Sequence, residues 1–273
     1  MPAVAGPAVA GQAGAPAGPT IRLACLDMAG TTVSDGGIVM SSFAAAMAAV
    51  GVEGEALATA LAYARQTMGL PKKVVFTALL DAGGLLEQTN LSGSGGGGDS
   101  GRVHKAVCAF DSSILAAIGD GRVTEVPGAQ AAMEALRSEG VKICLTTGFP
   151  AEIQGSIVAY LGWEGAVDLL MAPAEGIRGR PFPDMVLTAA VRLAVDDVRE
   201  VAVVGDTAND LWSGYRAGAG VVAGVLTGTH GRPELEATPH THILGSIADF
   251  PPLVANWAPE LLAPAATSAR ISR

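Results

Sequence analysis

The chain has 273 residues, 49% of them hydrophobic and 16% charged, so it can bury a sizeable core in one large domain or two smaller ones. Its formal net charge of -9 argues against non-specific binding to nucleic acid, although a local basic pocket can still hold an anion. No apolar run approaches the ~20 residues that cross a bilayer, and the N-terminal tail lacks the charged and long apolar regions of a signal peptide. We therefore expect a cytoplasmic protein with neither nucleic acid nor membrane as a partner.

The N-terminal part of the chain predicts a tail followed by a buried strand. Residues 1–19 are almost all Ala, Pro, Gly and Val, a composition that cannot build a core, so we expect disorder there. Residues 21–26 are apolar except for Arg22, which is typical of a buried strand. The three cysteines are far apart and form no CxxC pair, which favours reduced thiols over a disulfide framework.

The next stretch is predicted to be helical throughout. After a hinge-like linker at 34–37, its Ala-rich sequence predicts helices over 39–50, 53–67, 72–82 and about 102–118. The Gly/Ser run at about 92–101 has no packing capacity and predicts a flexible loop. Residues 34–122 are therefore predicted to form a helical insertion between the first strand and the rest of the fold.

From residue 127 onward, strand and helix patterns alternate. Strands are predicted over 141–145, 167–171, 201–204 and 220–225, and helices over 129–138, 151–161, 184–193, 209–217 and 246–255. Such alternation predicts a parallel sheet covered by helices on both faces, a three-layer α/β/α, Rossmann-like core. We assign 20–33 and 123–258 to this core and 259–273 to a frayed tail.

Polar residues follow several of these strands. Asp27 comes directly after the first strand and Thr147 after the second, while Asp206 and Asp210 come after the fourth. Arg180 lies between the second and fourth strands. Because the carboxyl ends of parallel strands share one edge of the sheet, we expect these five side chains to converge there.

The residue types at this edge indicate chemistry on a phosphoryl group. Three carboxylates offer the hard oxygen ligands that suit Mg²⁺. Thr147 and the following N–H can hold a phosphoryl oxygen, and Arg180 can pair with phosphoryl oxygens or orient Asp27. Taken singly, each has a structural explanation, such as a helix cap for Thr147 or a surface ion pair for Arg180. Their order along the chain favours a single site.

The turn after Asp27 adds groups that suit an anion. Gly30 lets the backbone approach a ligand closely because it has no side chain. Thr31 and Thr32 supply hydroxyls, and the N–H groups of the turn can face an anion. We therefore include Thr31, with Gly148 of the second strand end, among the candidate substrate-binding residues.

The motifs in this order resemble the haloacid dehalogenase superfamily. The resemblance covers about 21–256 and rests on Asp27-Met28-Ala29-Gly30-Thr31, Thr147-Gly148, Arg180-Pro181 and Gly205-Asp206-Thr207-Ala208-Asn209-Asp210. It implies that Asp27 is a nucleophile that forms an aspartyl phosphate with the help of Mg²⁺. It further implies metal ligation by Asp27, the backbone carbonyl of Ala29 and Asp206, with Asp210 in the same or an outer coordination shell. The helical insertion resembles the cap domain of that family.

The residue at position 29 indicates which branch of the superfamily the sequence resembles. Most phosphatases of the superfamily carry a general-acid Asp two residues after the nucleophile, but here that residue is Ala29, which cannot protonate a leaving group. Asp-x-Ala-Gly-Thr-Thr resembles the phosphonatase branch, which hydrolyses phosphonoacetaldehyde and in which a cap lysine forms a Schiff base with the aldehyde. The lysine motif of that branch resembles Met68-Gly69-Leu70-Pro71-Lys72, which places Lys72 in the catalytic role and Met68 and Gly69 beside the substrate.

Three positions depart from the phosphonatase pattern. Val75 replaces a His, Phe149 replaces a Tyr, and about Gly37 a Cys is replaced. These changes remove polar groups from the expected pocket, so the sequence leaves open the alternative that the substrate is not phosphonoacetaldehyde. Lys72 also has an alternative interpretation as a solvated residue at the start of a helix.

Three hypotheses follow from the sequence. The first is a C–P bond hydrolase that uses Asp27 and Lys72 on a small phosphonate. The second is a phosphatase that acts on a small phosphomonoester without a Schiff base, and the third is a non-catalytic binding protein. Analogy with the phosphonatase branch also suggests a homodimer through the cap. His230, His240 and His242 are interpreted as surface loop residues.

Overall fold

The computed structural model describes residues 20–34, 36–81, 84–88 and 100–257. The predicted tails at 1–19 and 259–273, and nearly all of the predicted Gly/Ser loop at 92–101, lie outside these residues. The strands are β1 (Leu23–Asp27), β2 (Val33–Ser34), β3 (Thr124–Glu125), β4 (Lys142–Thr146), β5 (Leu169–Met171), β6 (Val201–Gly205), β7 (Val221–Val225) and β8 (His242–Leu244). The helices are α1 (Ile38–Ala49), α2 (Gly54–Gln66), α3 (Lys72–Leu80), α4 (Leu85–Gln88), α5 (Ser100–Gly119), α6 (Ala129–Ser138), α7 (Ala151–Leu161), α8 (Asp184–Arg192), α9 (Ala208–Ala217), α10 (Arg232–Glu236) and α11 (Phe250–Ala255).

Six of the strands form a parallel sheet in the order β5-β4-β1-β6-β7-β8. All five residues of β1, β6 and β7 are buried, as expected for strands that are covered on both faces. Successive residues of β1 enter different clusters: Ala24 packs with the cluster that includes α6 and α7, and Cys25 with the cluster that includes α8. The predicted three-layer α/β core is confirmed.

Several predicted element bounds are wrong near residue 80 and in the C-terminal third. Strand β8 and helix α10 lie where the sequence predicts loop, because each is short and carries polar residues. His242 therefore begins the edge strand and is not a loop residue. The helix predicted over 246–255 divides into a 3₁₀ turn at Ile247–Asp249 and α11, whose first turn contains prolines. Helix α3 ends at Leu80.

Helices α1 to α5, which we call the helical insertion, have a core of aromatic side chains. The ring centroids of Phe43 and Phe76 lie 5.0 Å apart, as do those of Phe43 and Phe110. The rings of Phe76 and Phe110 meet edge to face at 5.9 Å. Such tilted and edge-on arrangements are the favourable geometries for aromatic pairs.

The helical insertion joins the sheet layers through a short antiparallel ribbon of β2 and β3. Val33 pairs with Glu125 and Ser34 pairs with Thr124. Val126 N also donates to Thr32 O at 2.9 Å. The stretch predicted as a linker thus begins inside a strand, which the sequence conceals because each strand has only two residues.

Cys25 and Cys144 occupy paired positions on β1 and β4, where both are buried as free thiols. Cys108 is free and exposed. Among the described residues, no helix combines the length and the apolar character that crossing a membrane requires. The homodimer stays a prediction.

Candidate active site

Asp27 is the last residue of β1, and a tight turn follows it. Met28 O accepts hydrogen bonds from the backbone N–H groups of the three residues at 31–33, at 2.7–3.1 Å. Gly30 adopts φ +92°, and a Cβ there would lie 2.5 Å from Asp206 Oδ2. Only glycine tolerates both the backbone conformation and this close approach. Thr32 Oγ1 donates to Asp27 O at 2.9 Å and so holds the turn against the strand.

The carboxylates of Asp27, Asp206 and Asp210 converge at the predicted edge of the sheet. One oxygen from each lies within 4.8 Å of the others, and all three residues are buried. Asp206 follows β6, and its Oδ2 accepts a hydrogen bond from Thr229 N at 2.6 Å. Asp210 lies in the first turn of α9, where it forms a reciprocal capping box with Thr207. Strand end and helix start therefore position the cluster together.

Arg180 is buried between two of these carboxylates. Its Nη2 lies 2.6 Å from Asp27 Oδ1, and its Nη1 lies 2.7 Å from Asp210 Oδ1. Nη2 also donates to the hydroxyl of Thr146 at 3.1 Å. The fork of the guanidinium thus fixes the orientation of Asp27 relative to Asp210, as planar bidentate donors do. The interpretation of Arg180 as a surface ion pair is wrong.

The electrostatics of the cluster favour an added cation. Burial raises the pKa of the Asp27 carboxyl to about 6, although the Arg180 guanidinium acts in the opposite direction. Burial, with the charges of Asp27 and Asp210, holds the pKa of Asp206 well above its ordinary range. Three buried oxygen donors with excess negative charge fit a hard divalent ion. The residues that would hold it are Asp27, Asp206 and Asp210.

Thr147 directly follows β4, and the next turn orients its hydroxyl. Its Oγ1 accepts a hydrogen bond from Phe149 N at 3.1 Å, so the hydroxyl proton can still be donated to a ligand. Its own N–H donates to Met171 O at 3.1 Å and is therefore occupied. Pro150, not Thr147, is the N-cap residue of α7.

Lys72 begins α3, and only 6% of its surface is exposed. Its Nζ lies 3.7 Å from Met68 Sδ and 5.3, 5.9 and 5.7 Å from the ring centroids of Phe43, Phe110 and Phe149. The next residue, Lys73, is exposed. The interpretation of Lys72 as a solvated residue is therefore wrong. Its neighbour Lys73 is the solvated lysine at the start of this helix.

A cavity of about 20 Å³ joins these groups. It is lined by Asp27, Ala29, Val39, Met68, Gly69, Lys72, Thr147, Gly148, Phe149, Arg180, Asp206 and Thr207. Thr31 does not line it: its side chain is fully buried, and its hydroxyl has no hydrogen-bond partner in the described part of the chain. A water molecule needs about 10–15 Å³ of such space, so this cavity admits little more than one water-sized group.

The segment 68–71 of the helical insertion is docked directly on the loops at the sheet edge. Asn209 Nδ2 donates to Met68 O at 2.8 Å. A Cβ at Gly148 would lie 2.9 Å from Leu70 O, and a Cβ at Gly179 would lie 2.5 Å from Pro71 Cγ. Glycine at both positions therefore allows the contact that brings Lys72 to the cavity of Asp27.

Residues 21–218 match the sequence profile of the haloacid dehalogenase-like hydrolases. The chain belongs to this family. A phosphonoacetaldehyde hydrolase from Pseudomonas paraeruginosa is 31% identical over 77% of this chain and 74% of its own length. This hydrolase therefore lies in the phosphonoacetaldehyde hydrolase-like branch. The chain matches 58% of the length of a phosphonoacetaldehyde hydrolase from Bordetella pertussis, at 29% identity over 50% of this chain.

Solved structures share the fold of this hydrolase. A phosphonoacetaldehyde hydrolase-like protein from Oleispira antarctica superposes with a TM-score of 0.70. The superposition covers 88% of this chain and 92% of that protein, at 21% sequence identity. At this identity the likeness concerns the arrangement of helices and strands alone.

The loop after β7 belongs to the site of this hydrolase, although the sequence pattern favours a surface loop there. His230 is half-buried, and its Nδ1 accepts a hydrogen bond from Ala208 N at 3.0 Å, so its ring holds the start of α9. Thr227 Oγ1 donates to Gly30 O at 2.7 Å. A Cβ at Gly228 would lie 2.0 Å from Asp206 Oδ2. The position of this loop in the sequence could have predicted its role, because it follows a parallel strand that ends at the same sheet edge as Asp27.

Proposed function

We propose that this hydrolase cleaves the carbon–phosphorus bond of a small phosphonate that carries a carbonyl group beside the P–CH₂ carbon, such as phosphonoacetaldehyde. The observation that carries the proposal is the position of Lys72, a buried amine on the same cavity as Asp27. An amine beside the nucleophile is the group that a Schiff base with the carbonyl carbon requires. The name of the relative from Pseudomonas paraeruginosa agrees with this choice.

The proposed reaction begins at Lys72. Its Nζ attacks the carbonyl carbon, and one water leaves, which gives a protonated imine. A carboxylate oxygen of Asp27 then attacks phosphorus. The P–C bond breaks, and its electron pair forms the C=C bond of an enamine as the C=N pair returns to nitrogen. The imine thus accepts the electrons that a carbanion would otherwise have to hold.

Two waters complete the cycle. Protonation of the enamine carbon and addition of one water release acetaldehyde and free Lys72. A second water hydrolyses the aspartyl phosphate and releases phosphate from Asp27. Since imine formation released one water, the net reaction consumes phosphonoacetaldehyde and one water and yields acetaldehyde and phosphate. This route needs no acid at position 29, because the leaving carbon receives its electrons into the enamine.

The surroundings of Lys72 suit a covalent role. A neutral amine is needed for attack, and burial disfavours the charged ammonium. Phe149, which departs from the phosphonatase pattern, places an apolar ring 5.7 Å from the amine, where that pattern has a Tyr. Mg²⁺ held by the carboxylates of Asp27, Asp206 and Asp210 would offset the repulsion between Asp27 and the phosphoryl oxygens.

Borohydride trapping tests this proposal. The protein is incubated with Mg²⁺ and phosphonoacetaldehyde, reduced with borohydride, and mapped by mass spectrometry, while phosphate release is measured in parallel. We expect a reduced adduct on Lys72 and none in Lys72→Arg. We expect phosphate release to fall by about a thousandfold or more in both Lys72→Arg and Asp27→Asn, because each variant removes a covalent step.

Lys73→Arg is the matched control, since it makes the same change at the neighbouring exposed lysine. It should retain both the adduct and the activity. The proposal is overturned if no adduct forms and ordinary phosphomonoesters release phosphate by a route that needs Asp27 but not Lys72. That result would instead establish a phosphatase.

A further inference from the structure

A second cavity, of about 420 Å³, lies next to the cavity of Asp27 and is some twentyfold larger. Lys72, Gly148 and Phe149 line both cavities. Lys72 therefore lies between the two cavities, of which only the smaller one is also lined by Asp27. We call this larger space the Lys72 side cavity.

The small cavity admits little more than one water-sized group in the described conformation, so it offers no space for a further carbon substituent. If the phosphoryl group lies against Asp27 and the carbonyl carbon reaches Lys72, the carbonyl carbon's remaining substituent points away from the carboxylate cluster. The Lys72 side cavity is the space that this substituent can enter. In phosphonoacetaldehyde that substituent is a single hydrogen, which would leave the cavity unused.

Asp111 of α5 and Lys73 are charged residues of the Lys72 side cavity, whose walls also include Pro71, Val107, Pro150 and Pro173. Its Oδ1 is shielded from solvent and has no hydrogen-bond partner within the described residues. Burial and the Glu152 carboxylate raise the pKa of Asp111. A buried carboxylate oxygen without a donor is unfavourable, so a ligand that supplied a donor would be stabilised there. Rotation about χ2, which is a soft torsion in Asp, can turn either oxygen toward the cavity.

We propose that the Lys72 side cavity binds the far end of the substrate and that Asp111 accepts a hydrogen bond from it. The substrate class is then a 2-oxoalkylphosphonate whose carbon 3 carries a hydrogen-bond donor, such as a hydroxyl. This inference rests on the proposed function, since it assumes that Lys72 binds the carbonyl carbon. Asp111 is a specificity-determining residue in this scheme and takes no part in bond breaking.

The chemistry of such a substrate balances in the same way. With 3-hydroxy-2-oxopropylphosphonate, Lys72 forms the imine at carbon 2 and Asp27 takes the phosphoryl group. The P–C electron pair enters the enamine, which is protonated and hydrolysed. One water is consumed in total, and the products are hydroxyacetone and phosphate.

The test compares two ketones that differ by one hydroxyl: 3-hydroxy-2-oxopropylphosphonate and its deoxy counterpart, 2-oxopropylphosphonate. Phosphate release gives kcat/KM for each ketone, and the ratio of the two values is the readout. We expect the wild-type protein to prefer the hydroxylated ketone by about tenfold or more, as a hydrogen bond to a charged carboxylate allows. Asp111→Leu should bring the ratio close to its intrinsic chemical value. The same variant should cleave the deoxy ketone with a kcat/KM within about threefold of the wild-type value, because that ketone has no hydroxyl to donate.

Two further variants separate binding from general damage. Asp111→Asn keeps an acceptor oxygen and should retain most of the preference. Glu152→Gln removes the nearby carboxylate that does not line the cavity and should leave the ratio unchanged. An equal ratio in the wild type and Asp111→Leu overturns the inference, and the cavity is then an entrance only.

Failure of the proposed function would look different. If borohydride traps phosphonoacetaldehyde on Lys72 but the ketone ratio is insensitive to Asp111, only the side-cavity inference fails. If no carbonyl compound is trapped on Lys72 at all, the proposed function fails and the inference fails with it.

Discussion

Of the three clustered carboxylates, Asp206 has the least compensation for the electrostatic cost of its burial. Arg180 pairs with Asp27 and Asp210, whereas Asp206 makes no ion pair within the described residues and accepts a hydrogen bond from Thr229 N. A buried carboxylate without a cation is unfavourable, and its raised pKa expresses that cost. A site of this kind is kept for binding rather than for stability.

Asp206→Asn should therefore stabilise the metal-free protein. Above the raised pKa of Asp206 the wild type must bury a charge, whereas Asn is neutral and still accepts from Thr229 N. We expect a Tm several degrees higher than wild type in EDTA, since 1 kcal/mol corresponds to about 2–4 °C in a chain of this size. Scanning calorimetry measures it, and excess MgCl₂ should raise the Tm of the wild type but not of the variant.

The stability difference between wild type and Asp206→Asn should depend on pH in a definite direction. A carboxyl whose pKa is raised by folding binds its proton more tightly in the native state, so wild-type stability falls as the pH rises through that pKa. The advantage of Asp206→Asn should be smallest near the ordinary pKa of an aspartate and should grow as the pH rises toward the raised pKa of Asp206. An advantage that shrinks with rising pH would contradict this account.

At the scale of single residues, the sequence predicts site residues from their positions after the strands. The rule that parallel strands share an edge brings Asp27, Thr147 and Asp206 together without an alignment. The same rule holds for the loop after β7, but its residues carry no recognisable motif, and so the role of His230 is missed. The burial of Lys72 depends on three Phe rings from α1, α5 and the loop before α7, which no local pattern reveals.

At the scale of elements, α9 connects the two parts of the site. Its first turn carries Asp210 toward Arg180, and Asn209 beside it donates to Met68 O in the helical insertion. The same helix also donates from Ser213 Oγ to Phe182 O, at 2.9 Å, within the sheet layers. One helix thus makes two similar hydrogen bonds, of which one reaches the helical insertion.

Asn209→Ala and Ser213→Ala form a matched pair. Each removes one side-chain donor from α9, and we expect each to lose about 0.5–1.5 kcal/mol of stability in urea unfolding. Only Asn209→Ala should lower kcat/KM for phosphonoacetaldehyde, by up to about tenfold, because it loosens the segment that leads to Lys72. Equal activity in the two variants would show that this hydrogen bond does not position the lysine.

The longer elements were predictable and the shortest were not. Helices such as α6 and α7 match their predicted bounds because their apolar spacing extends over about three turns. Strands β2 and β3 have two residues each and are held by pairing across 90 residues of chain. Such pairing depends on the tertiary structure, so residue preferences at 33–34 and 124–125 carry no signal for it.

At the scale of the whole molecule, the helical insertion is packed against the sheet edge over Asp27. The cavity of Asp27 admits about one water, and its walls come from both the sheet edge and the helical insertion. We expect the phosphonate of the proposed reaction to bind when these two parts separate, because the cavity between them is smaller than such a substrate. We therefore expect turnover to involve opening at the contact between segment 68–71 and residues 207–209.

A disulfide across this contact should stop turnover. A Cβ at position 69 would lie 3.7 Å from Thr207 Cβ, inside the usual range of about 3.5–4.5 Å for a disulfide. In a Cys108→Ser background, Gly69→Cys with Thr207→Cys should lose nearly all activity on oxidation and regain it in reductant. Activity is compared between the oxidised and reduced states of the same double variant. Both substitutions lower activity by themselves, because Gly69→Cys places a side chain at φ +86° and because Thr207→Cys removes the N-cap side chain of α9.

Mass spectrometry confirms the crosslink, and the Gly69→Cys single variant shows whether the oxidant alone inactivates the enzyme. A crosslinked protein that turns over as fast as its reduced form would mean that substrate enters by another route.

The ribbon of β2 and β3 has a mechanical consequence. The polypeptide leaves and re-enters the sheet layers through two strands that are hydrogen-bonded to each other. Because the two crossings are tied side by side, neither can lengthen or twist alone. The easiest displacement of the helical insertion is thus a rotation about one axis near this ribbon, and free translation is hindered. Lys72 would then approach phosphorus along an arc of fixed radius, so its final position is set by where the rotation stops.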